Sequence, residues 1–144
     1  MKKLLILFFV SGTLVFTQCK KYPEGPAISL RSKKERIANT WKASKYLENS
    51  VDKTSDFNAI FNNYILTTTK GGDYTITYKV LSVANYSESG SWSLSSDKED
   101  ITFTQSSPNN GSVTTCKILK LYEKELWAKS VDANGKITEV HLAP

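Results

Sequence analysis

Short segments in which apolar and polar residues alternate constrain the fold of this chain more than any other feature of its sequence. In the clearest segment, residues 74–80, every second side chain is aromatic or aliphatic: Tyr74, Ile76, Tyr78 and Val80. Successive side chains of a strand point to opposite faces, so a period of two predicts a strand with one buried face and one face in water. The intervening threonines and lysine suit the solvated face.

Eight segments of strand-like character follow one another along the chain. Glycine-containing stretches at 70–73, 108–111 and 132–135 separate several of them and are typical of tight hairpin turns. Because no connection is a long crossover, neighbours in sequence should pair antiparallel, and closing the sheet removes its exposed edges. We predict an all-β fold, an eight-stranded antiparallel up-and-down barrel, with strands at 41–47, 64–69, 74–80, 90–94, 101–104, 112–121, 126–131 and 137–142.

One or two short helices are expected beside the strands. Ser32 and Glu35 have the spacing of a capping box, in which the hydroxyl and the carboxylate each satisfy a free backbone donor at a helix start. Within residues 52–63, Phe57 is followed at spacings of three and four by Ile60 and Phe61. That segment is therefore predicted to be a short amphipathic helix or an ordered lid.

The first eighteen residues have the three-part form of an export signal. Lys2 and Lys3 precede an uncharged apolar run at 4–16, and Cys19 follows after two further residues. As a helix this run would span roughly 20 Å, short of the ~30 Å hydrocarbon core of a bilayer. We predict a lipoprotein signal peptide at 1–18 and lipidation of Cys19, with cleavage to a soluble secreted protein as the competing interpretation.

A tether is predicted between the lipid and the folded domain. Residues 19–28 contain Pro23, Gly25 and Pro26 and show no periodicity, which is typical of an extended linker. The barrel domain is accordingly assigned to residues 29–144. A diacylglyceryl cysteine with a further N-acyl group carries enough acyl chains to hold this domain on a bilayer.

Positive charge is concentrated in the tail. Residues 19–36 hold six basic and two acidic side chains, whereas residues 37–144 hold 11 basic and 12 acidic ones. A nearly neutral domain lacks the basic stripe that nucleic-acid recognition requires, so we expect no nucleic-acid partner. The tail itself is either an additional attraction to anionic lipid head groups or a solvated spacer.

Residue types that carry catalysis or metal binding are sparse. His141 is the single histidine, and no group of Cys, His or paired carboxylates has metal-ligand spacing. Asp97, Glu99 and Asp100 share a polar turn, where solvation explains them. Cys116 has strand-like neighbours and is expected to behave as a small buried hydrophobe. We therefore predict no enzymatic activity, no metal site and no cofactor.

The remaining candidate site is the interior of the barrel. The strand phases direct into it the side chains of Trp41, Tyr74, Tyr78, Trp92 and Phe103, together with Ile76 and Leu94. Such a lining suits a small apolar or aromatic ligand held by a few phenolic hydroxyls. The same side chains could instead fill the barrel as its core, because eight strands enclose a space just wide enough for either outcome.

Several motifs follow one another in a recognisable order. After Cys19 and its proline-bearing tether come a basic segment at 29–36, Trp41 on the first strand, Gly-Ser-Trp at 90–92, and finally Lys-Leu-Tyr at 120–122 with Lys-Glu-Leu-Trp at 124–127. In this order the sequence from Cys19 onward resembles the lipocalin-like lipoproteins of Gram-negative bacteria. The resemblance implies a lipocalin-like barrel in the cell envelope, anchored by its lipid to the outer membrane on the periplasmic or the surface face.

Two functions are consistent with these features. The first is a monomeric, membrane-anchored module that binds a small hydrophobic ligand inside the barrel. The second is an envelope protein-protein interaction or inhibitor module, in which a filled barrel serves only as a scaffold. The second hypothesis predicts exposed aromatic side chains such as Phe57, Phe61 and Trp127, whereas the first predicts an open cavity.

Overall fold

A computed structural model describes residues 30–144 of the chain. The predicted signal peptide at 1–18, the lipidation site Cys19 and the tether at 19–28 lie outside the described residues. The described part contains α1 (Lys33–Ile37), β1 (Thr40–Glu48), β2 (Val51–Asp52), α2 (Thr54–Ile60), β3 (Phe61–Thr68), β4 (Asp73–Val80), β5 (Ala84–Leu94), β6 (Asp100–Ser107), β7 (Val113–Leu121), β8 (Leu126–Val131) and β9 (Ile137–Ala143).

Eight of these strands form a closed barrel. From β3 to β9 each strand pairs antiparallel with the next, and β1 pairs with β3 on one side and with β9 on the other. The closing register sets Lys42 opposite Ala143 and Glu48 opposite Thr138. The predicted eight-stranded antiparallel up-and-down barrel is therefore confirmed, and of the one or two short helices expected the structure has two.

The two-residue strand β2 is an addition that the alternation did not predict. It pairs with the end of β1, where Glu48 lies opposite Val51. Asn49 and Ser50 between them have φ values of 46° and 68°. Positive φ at both central residues is the conformation of a two-residue hairpin whose twist matches its strands. This hairpin connects the barrel to α2.

The two ends of the barrel are built differently, and we name them by their helices. The closed end carries α1 and the connections at 69–72, 95–99 and 122–125. The open end carries α2 and the connections at 81–83, 108–112 and 132–136. Because consecutive strands run antiparallel, β4 and β6 lead away from the closed end, whereas β3, β5 and β7 lead towards it.

Helix α1 plugs the closed end. The predicted capping box is present: the Ser32 hydroxyl accepts from the Glu35 amide, and the Glu35 carboxylate accepts from the Ser32 amide. Behind this cap Ile37 and Trp41 are fully buried, both 0% exposed. The Trp41 indole Nε1 donates to the Ile37 carbonyl at 2.9 Å, and the Thr68 hydroxyl donates to the same oxygen at 2.6 Å. The last carbonyl of the helix is thus tied to two barrel strands.

Two further hydrogen bonds join the plug region to the strands around it. Arg36 is buried, and its Nη1 donates to the Leu121 carbonyl at 2.6 Å. Trp92 donates its Nε1 to the Thr69 carbonyl at 3.1 Å. Both tryptophan indoles at this end therefore have a backbone acceptor, as buried indoles require. The closed half of the barrel is a packed core.

An aromatic cluster occupies the open end. Phe57 of α2 stacks on Tyr46 with ring centroids 4.5 Å apart and contacts Phe61 at 4.9 Å. Its members are Tyr46, Phe57, Phe61, Tyr64, Tyr78 and Tyr86. The predicted helix within residues 52–63 is confirmed. Phe57 attaches it to the barrel through ring contacts, and Thr54 through hydrogen bonds with the Tyr46 backbone.

Candidate ligand-binding cavity

A cavity of about 220 Å³ lies between the packed core of the closed end and the aromatic cluster of the open end. Its apolar walls come from alternate residues of β3, β6, β8 and β9: Leu66, Ile101, Leu126, Ala128, Val140 and Leu142. Polar groups on β6, on β7 and in the connection between them also reach it, namely Gln105, Thr114 and Ser112. An apolar pocket with a few convergent polar groups is the usual form of a small-molecule site.

Tyr74 forms a fixed part of the cavity wall. Its ring is 2% exposed and packs edge-on against Phe103, with centroids 5.1 Å apart. The backbone of β5 makes room for this ring at Gly90, where an added Cβ would come within 2.9 Å of the Tyr74 Cε1 atom and would also collide with the Thr104 carbonyl. Because Gly90 has no side chain, the Tyr74 ring and the Thr104 carbonyl can lie close to the backbone of β5 at this position.

Glu88 brings a carboxylate to the same cavity. It lies opposite Ile76 in the pairing of β4 with β5, two residues before Gly90 on the inward face. The Tyr74 hydroxyl donates to its Oε1 at 2.7 Å. Among the described residues that line the cavity, Glu88 is the only side chain with a formal charge at neutral pH.

Burial keeps the phenols and the thiol at the cavity protonated. Burial, and then the hydrogen bond to the negative Glu88, raise the pKa of Tyr74 well above its ordinary value. Burial also raises the pKa of Tyr64. The pKa of the Cys116 thiol is raised by burial as well. Cys116 was expected to be a small buried hydrophobe, and the structure leaves it only partly buried in the lining of the cavity. These groups act as neutral donors at neutral pH.

The five aromatic residues predicted to bind a ligand occupy three different places. Tyr74 and Phe103 line the cavity, as does Ile76. Tyr78 belongs to the aromatic cluster, where it stacks on Tyr86 at 4.6 Å. Trp41 and Trp92 lie in the packed core of the closed end and do not line the cavity. All five are at least partly buried, while their role in binding stays a prediction.

Sequence reasoning missed Glu88 and Gln105. Glu88 shares the phase of Trp92 in β5, but the strand was predicted only over residues 90–94, so Glu88 fell outside it. Gln105 was missed in the same way, because it follows the strand predicted at 101–104. Gln105 shares the phase of Phe103 in β6, is 7% exposed, and donates its side-chain amide to the Ser107 carbonyl at 3.2 Å.

The aromatic residues named by the scaffold hypothesis are only half-exposed. Phe57 and Phe61 contact each other and their neighbours in the aromatic cluster. Trp127 lies on the outer face, stacked on His141 at 3.9 Å, with the Lys120 ammonium 4.2 Å from its ring centroid. Each of these rings is therefore engaged within the chain itself.

Metal ligands and membrane-spanning helices were sought in the same part of the chain. Within residues 30–144 no three or more His, Cys, Asp or Glu side chains are grouped so that they could hold a metal ion. None of the helices in this range has the length and apolarity to cross a membrane.

The fold of the chain is similar to that of several solved structures. No family model and no curated protein sequence matches the chain. Among solved structures, a lipocalin-like protein from Bacteroides uniformis aligns with a TM-score of 0.51 at 14% identity, covering 75% of this chain and 97% of that one. A protein from Bacteroides eggerthii aligns at 0.49 and 15% identity, covering 75% and 99%. Lobster apocrustacyanin A1 aligns at 0.48 and 12% identity, covering 75% and 60%.

The fold is therefore that of a lipocalin-like barrel, as the resemblance in the sequence implied. Such a fold is compatible with binding a small hydrophobic ligand. At this level of identity the likeness concerns the fold alone, and the function must be argued from the cavity.

Proposed function

We propose that this chain is a cell-envelope lipoprotein, anchored to the outer membrane through Cys19, whose barrel binds one small hydrophobic molecule as a monomer. The observation that carries the proposal is the cavity of about 220 Å³ left open inside a barrel whose other end is filled. A dry apolar cavity of about 150 Å³ already holds benzene in another protein. The space here suits a compound with one ring and a short substituent.

Binding without catalysis fits the polar groups of the cavity. The Tyr74 hydroxyl is engaged with Glu88 at 2.7 Å, and the raised pKa of Tyr74 keeps its proton in place. The Cys116 thiol, whose pKa is also raised, offers no thiolate at neutral pH. These groups can orient a ligand, but they supply no activated nucleophile.

The position of α1 supports the anchored arrangement. The chain enters the barrel at the closed end, where Arg31 pairs with Glu123 at 3.8 Å just before α1 begins. From Cys19 to Arg31 the chain can reach roughly 40 Å when fully extended. A lipid on Cys19 would therefore be joined to the barrel at its closed end, with enough intervening chain to leave the open end accessible.

Binding is tested with a variant that fills the cavity. Ala128 lines the cavity and is 6% exposed, so Ala128→Phe places a ring in the space proposed for the ligand. Ala133→Phe, in an exposed connection at the open end, is the matched control. We expect toluene, indole and propylbenzene to raise the Tm of the wild type and of the control, but not of Ala128→Phe. Equal shifts in all three proteins would contradict binding in the cavity.

The anchor is tested by mass spectrometry of protein purified from its native host, beside a Cys19→Ala version. The proposal predicts a mature N-terminus at Cys19 with an acylated mass in the membrane fraction. The Cys19→Ala version should lose both the acyl mass and the membrane attachment. An unmodified mass in the soluble fraction would contradict the anchor and leave a secreted barrel.

A further inference from the structure

Glu88 places a single negative charge at a cavity lining whose other described residues are uncharged. A half-buried carboxylate in an apolar cavity is costly unless a donor or a cation compensates it. The Tyr74 hydroxyl supplies one donor, to Oε1. Within residues 30–144 no lysine, arginine or histidine pairs with this carboxylate, and Oε2 has no hydrogen-bond donor. One oxygen is thus positioned by the protein and the other is available.

The surroundings of Glu88 favour a positive charge. Aromatic rings carry negative potential on their faces and attract cations within about 6 Å. Tyr64, Tyr74 and Phe103 bring three such rings to the cavity. A ligand that carried a carboxylate would instead place a second negative charge near Glu88, at a cost in free energy. Both features select against anions.

We propose that the barrel ligand is a small organic cation, an amine with an aromatic or short alkyl body, whose ammonium group contacts Glu88. This inference rests on the proposed function, since it names the class of ligand that the cavity binds. The body lies against the apolar wall formed by Leu66, Ile101 and Leu126. Tyr74 positions the carboxylate by holding Oε1, so that Oε2 accepts from the ammonium group. Gln105, Ser112 and Thr114 offer polar contacts on the β6–β7 side.

Three probes of nearly equal shape separate charge from hydrophobicity. The three compounds differ in one heavy atom: 2-phenylethylamine carries a cation, 2-phenylethanol carries a neutral hydrogen-bond donor, and propylbenzene carries neither group. Their affinities for the full chain are measured by isothermal titration calorimetry in the wild type and in Glu88→Gln. The Gln side chain keeps the shape and can still accept from Tyr74, while the charge and the acceptor at the Oε2 position are replaced by a neutral NH2 group.

The proposal predicts that the amine binds the wild type about tenfold or more tighter than propylbenzene, as a charge-assisted contact implies. In Glu88→Gln this preference should disappear while propylbenzene binds as before. Glu123→Gln removes one negative charge at the closed end, where the Glu123 side chain is 58% exposed. This control should behave as the wild type and thereby exclude a general effect of net charge.

The other outcomes are distinguishable. If the amine and propylbenzene bind the wild type equally, the cation is wrong while the hydrophobic cavity stands. If 2-phenylethanol matches the amine and both weaken in Glu88→Gln, Glu88 recognises a hydrogen-bond donor rather than a charge, and the proposal is overturned. If none of the probes binds a wild type that circular dichroism shows to be folded, the cation proposal and the proposed function fail together.

Discussion

The two ends of the barrel are made by the same eight strands and differ in what occupies the space between them. At the closed end α1 inserts Ile37 beside Trp41, and both are 0% exposed. At the open end α2 has no buried residue and contacts the barrel chiefly through Phe57. A cavity of about 220 Å³ remains between them. One helix completes the core, whereas the other packs on the aromatic cluster beside the cavity.

This difference indicates a division of labour between stability and binding. Burial of large apolar side chains supplies most of the free energy of folding, and that burial is concentrated at the closed end. The side chains around a cavity make fewer packing contacts than those of a filled core. A barrel that contains a cavity therefore depends on its filled half for most of its stability. Substitutions at the two ends should therefore have different consequences.

The largest effect is expected from Trp41→Ala at the closed end. This change removes a fully buried indole and leaves the Ile37 carbonyl with one donor fewer. Truncation of a buried tryptophan costs about 3–5 kcal/mol. Urea unfolding followed by circular dichroism measures the loss. Trp127→Ala, on the half-exposed outer face, is the control and should cost much less; equal losses would contradict the closed end as the principal core.

Gly90→Ala tests the junction between core and cavity. The new methyl group would collide with the Thr104 carbonyl and displace the Tyr74 ring. Overpacking of this kind costs about 1–3 kcal/mol, and the 2.7 Å contact of Tyr74 with Glu88 should be lost as well. Gly71→Ala is the matched control, because the nearest atom to its methyl group is a carboxylate oxygen at the end of the exposed Asp73 side chain. A stable Gly90→Ala with unchanged amine affinity would refute this account of Tyr74.

A smaller loss of stability is expected from Phe57→Ala at the open end. Phe57 is half-buried and interacts through ring contacts with Tyr46, Phe61 and Tyr64. A well-packed aromatic pair contributes about 1 kcal/mol beyond burial, but at this half-exposed site the remaining rings can close over the gap and offset much of the loss. Removing the ring should mainly speed the release of bound 2-phenylethylamine, measured by relaxation-dispersion NMR. An unchanged release rate in a folded variant would show that α2 does not cover the cavity, and an unfolded variant would contradict the smaller contribution of the open end to stability.

The smallest effect concerns the attachment of α1 and depends on pH. The Glu35 carboxylate accepts a hydrogen bond from the Ser32 amide, and it also lies 3.0 Å from the Lys70 ammonium group. The first contact, and then the second, lower the pKa of Glu35 to about 2. A depressed carboxyl pKa stabilises the fold above the unfolded value of 4.5, and this contribution is lost as the pH falls towards 2. The wild type should therefore lose more stability than Glu35→Gln between these pH values. Parallel acid curves would contradict this role of Glu35.

The strands and the plug could be predicted from the sequence because their signals are local. Alternation over residues 74–80 defines which side chains share a face of β4, and the spacing of Ser32 and Glu35 defines where α1 starts. Only two residues form β2, too few to show a period. Its hairpin also uses positive φ at Asn49 and Ser50, without the glycine that would have signalled it.

The candidate site was only partly predictable because it depends on position along the barrel axis. Alternation directs Trp41, Tyr74 and Trp92 to the same interior, yet only Tyr74 reaches the cavity. Which layer a side chain joins depends on the barrel register and on the volume that α1 fills. Glu88 precedes the strand predicted at 90–94, and a charged residue is not expected in an apolar interior. Its place in the cavity became apparent only from the longer β5 and the contact with Tyr74.

The central claim is that the open half of the barrel is a ligand site with Glu88 at its polar end. A crystal structure of the protein with bound 2-phenylethylamine tests it most directly. The account predicts one ligand molecule in the cavity, its ring beside Phe103 and its ammonium nitrogen within hydrogen-bond distance of Glu88 Oε2. A cavity filled by rearranged side chains, with the amine bound elsewhere, would contradict it.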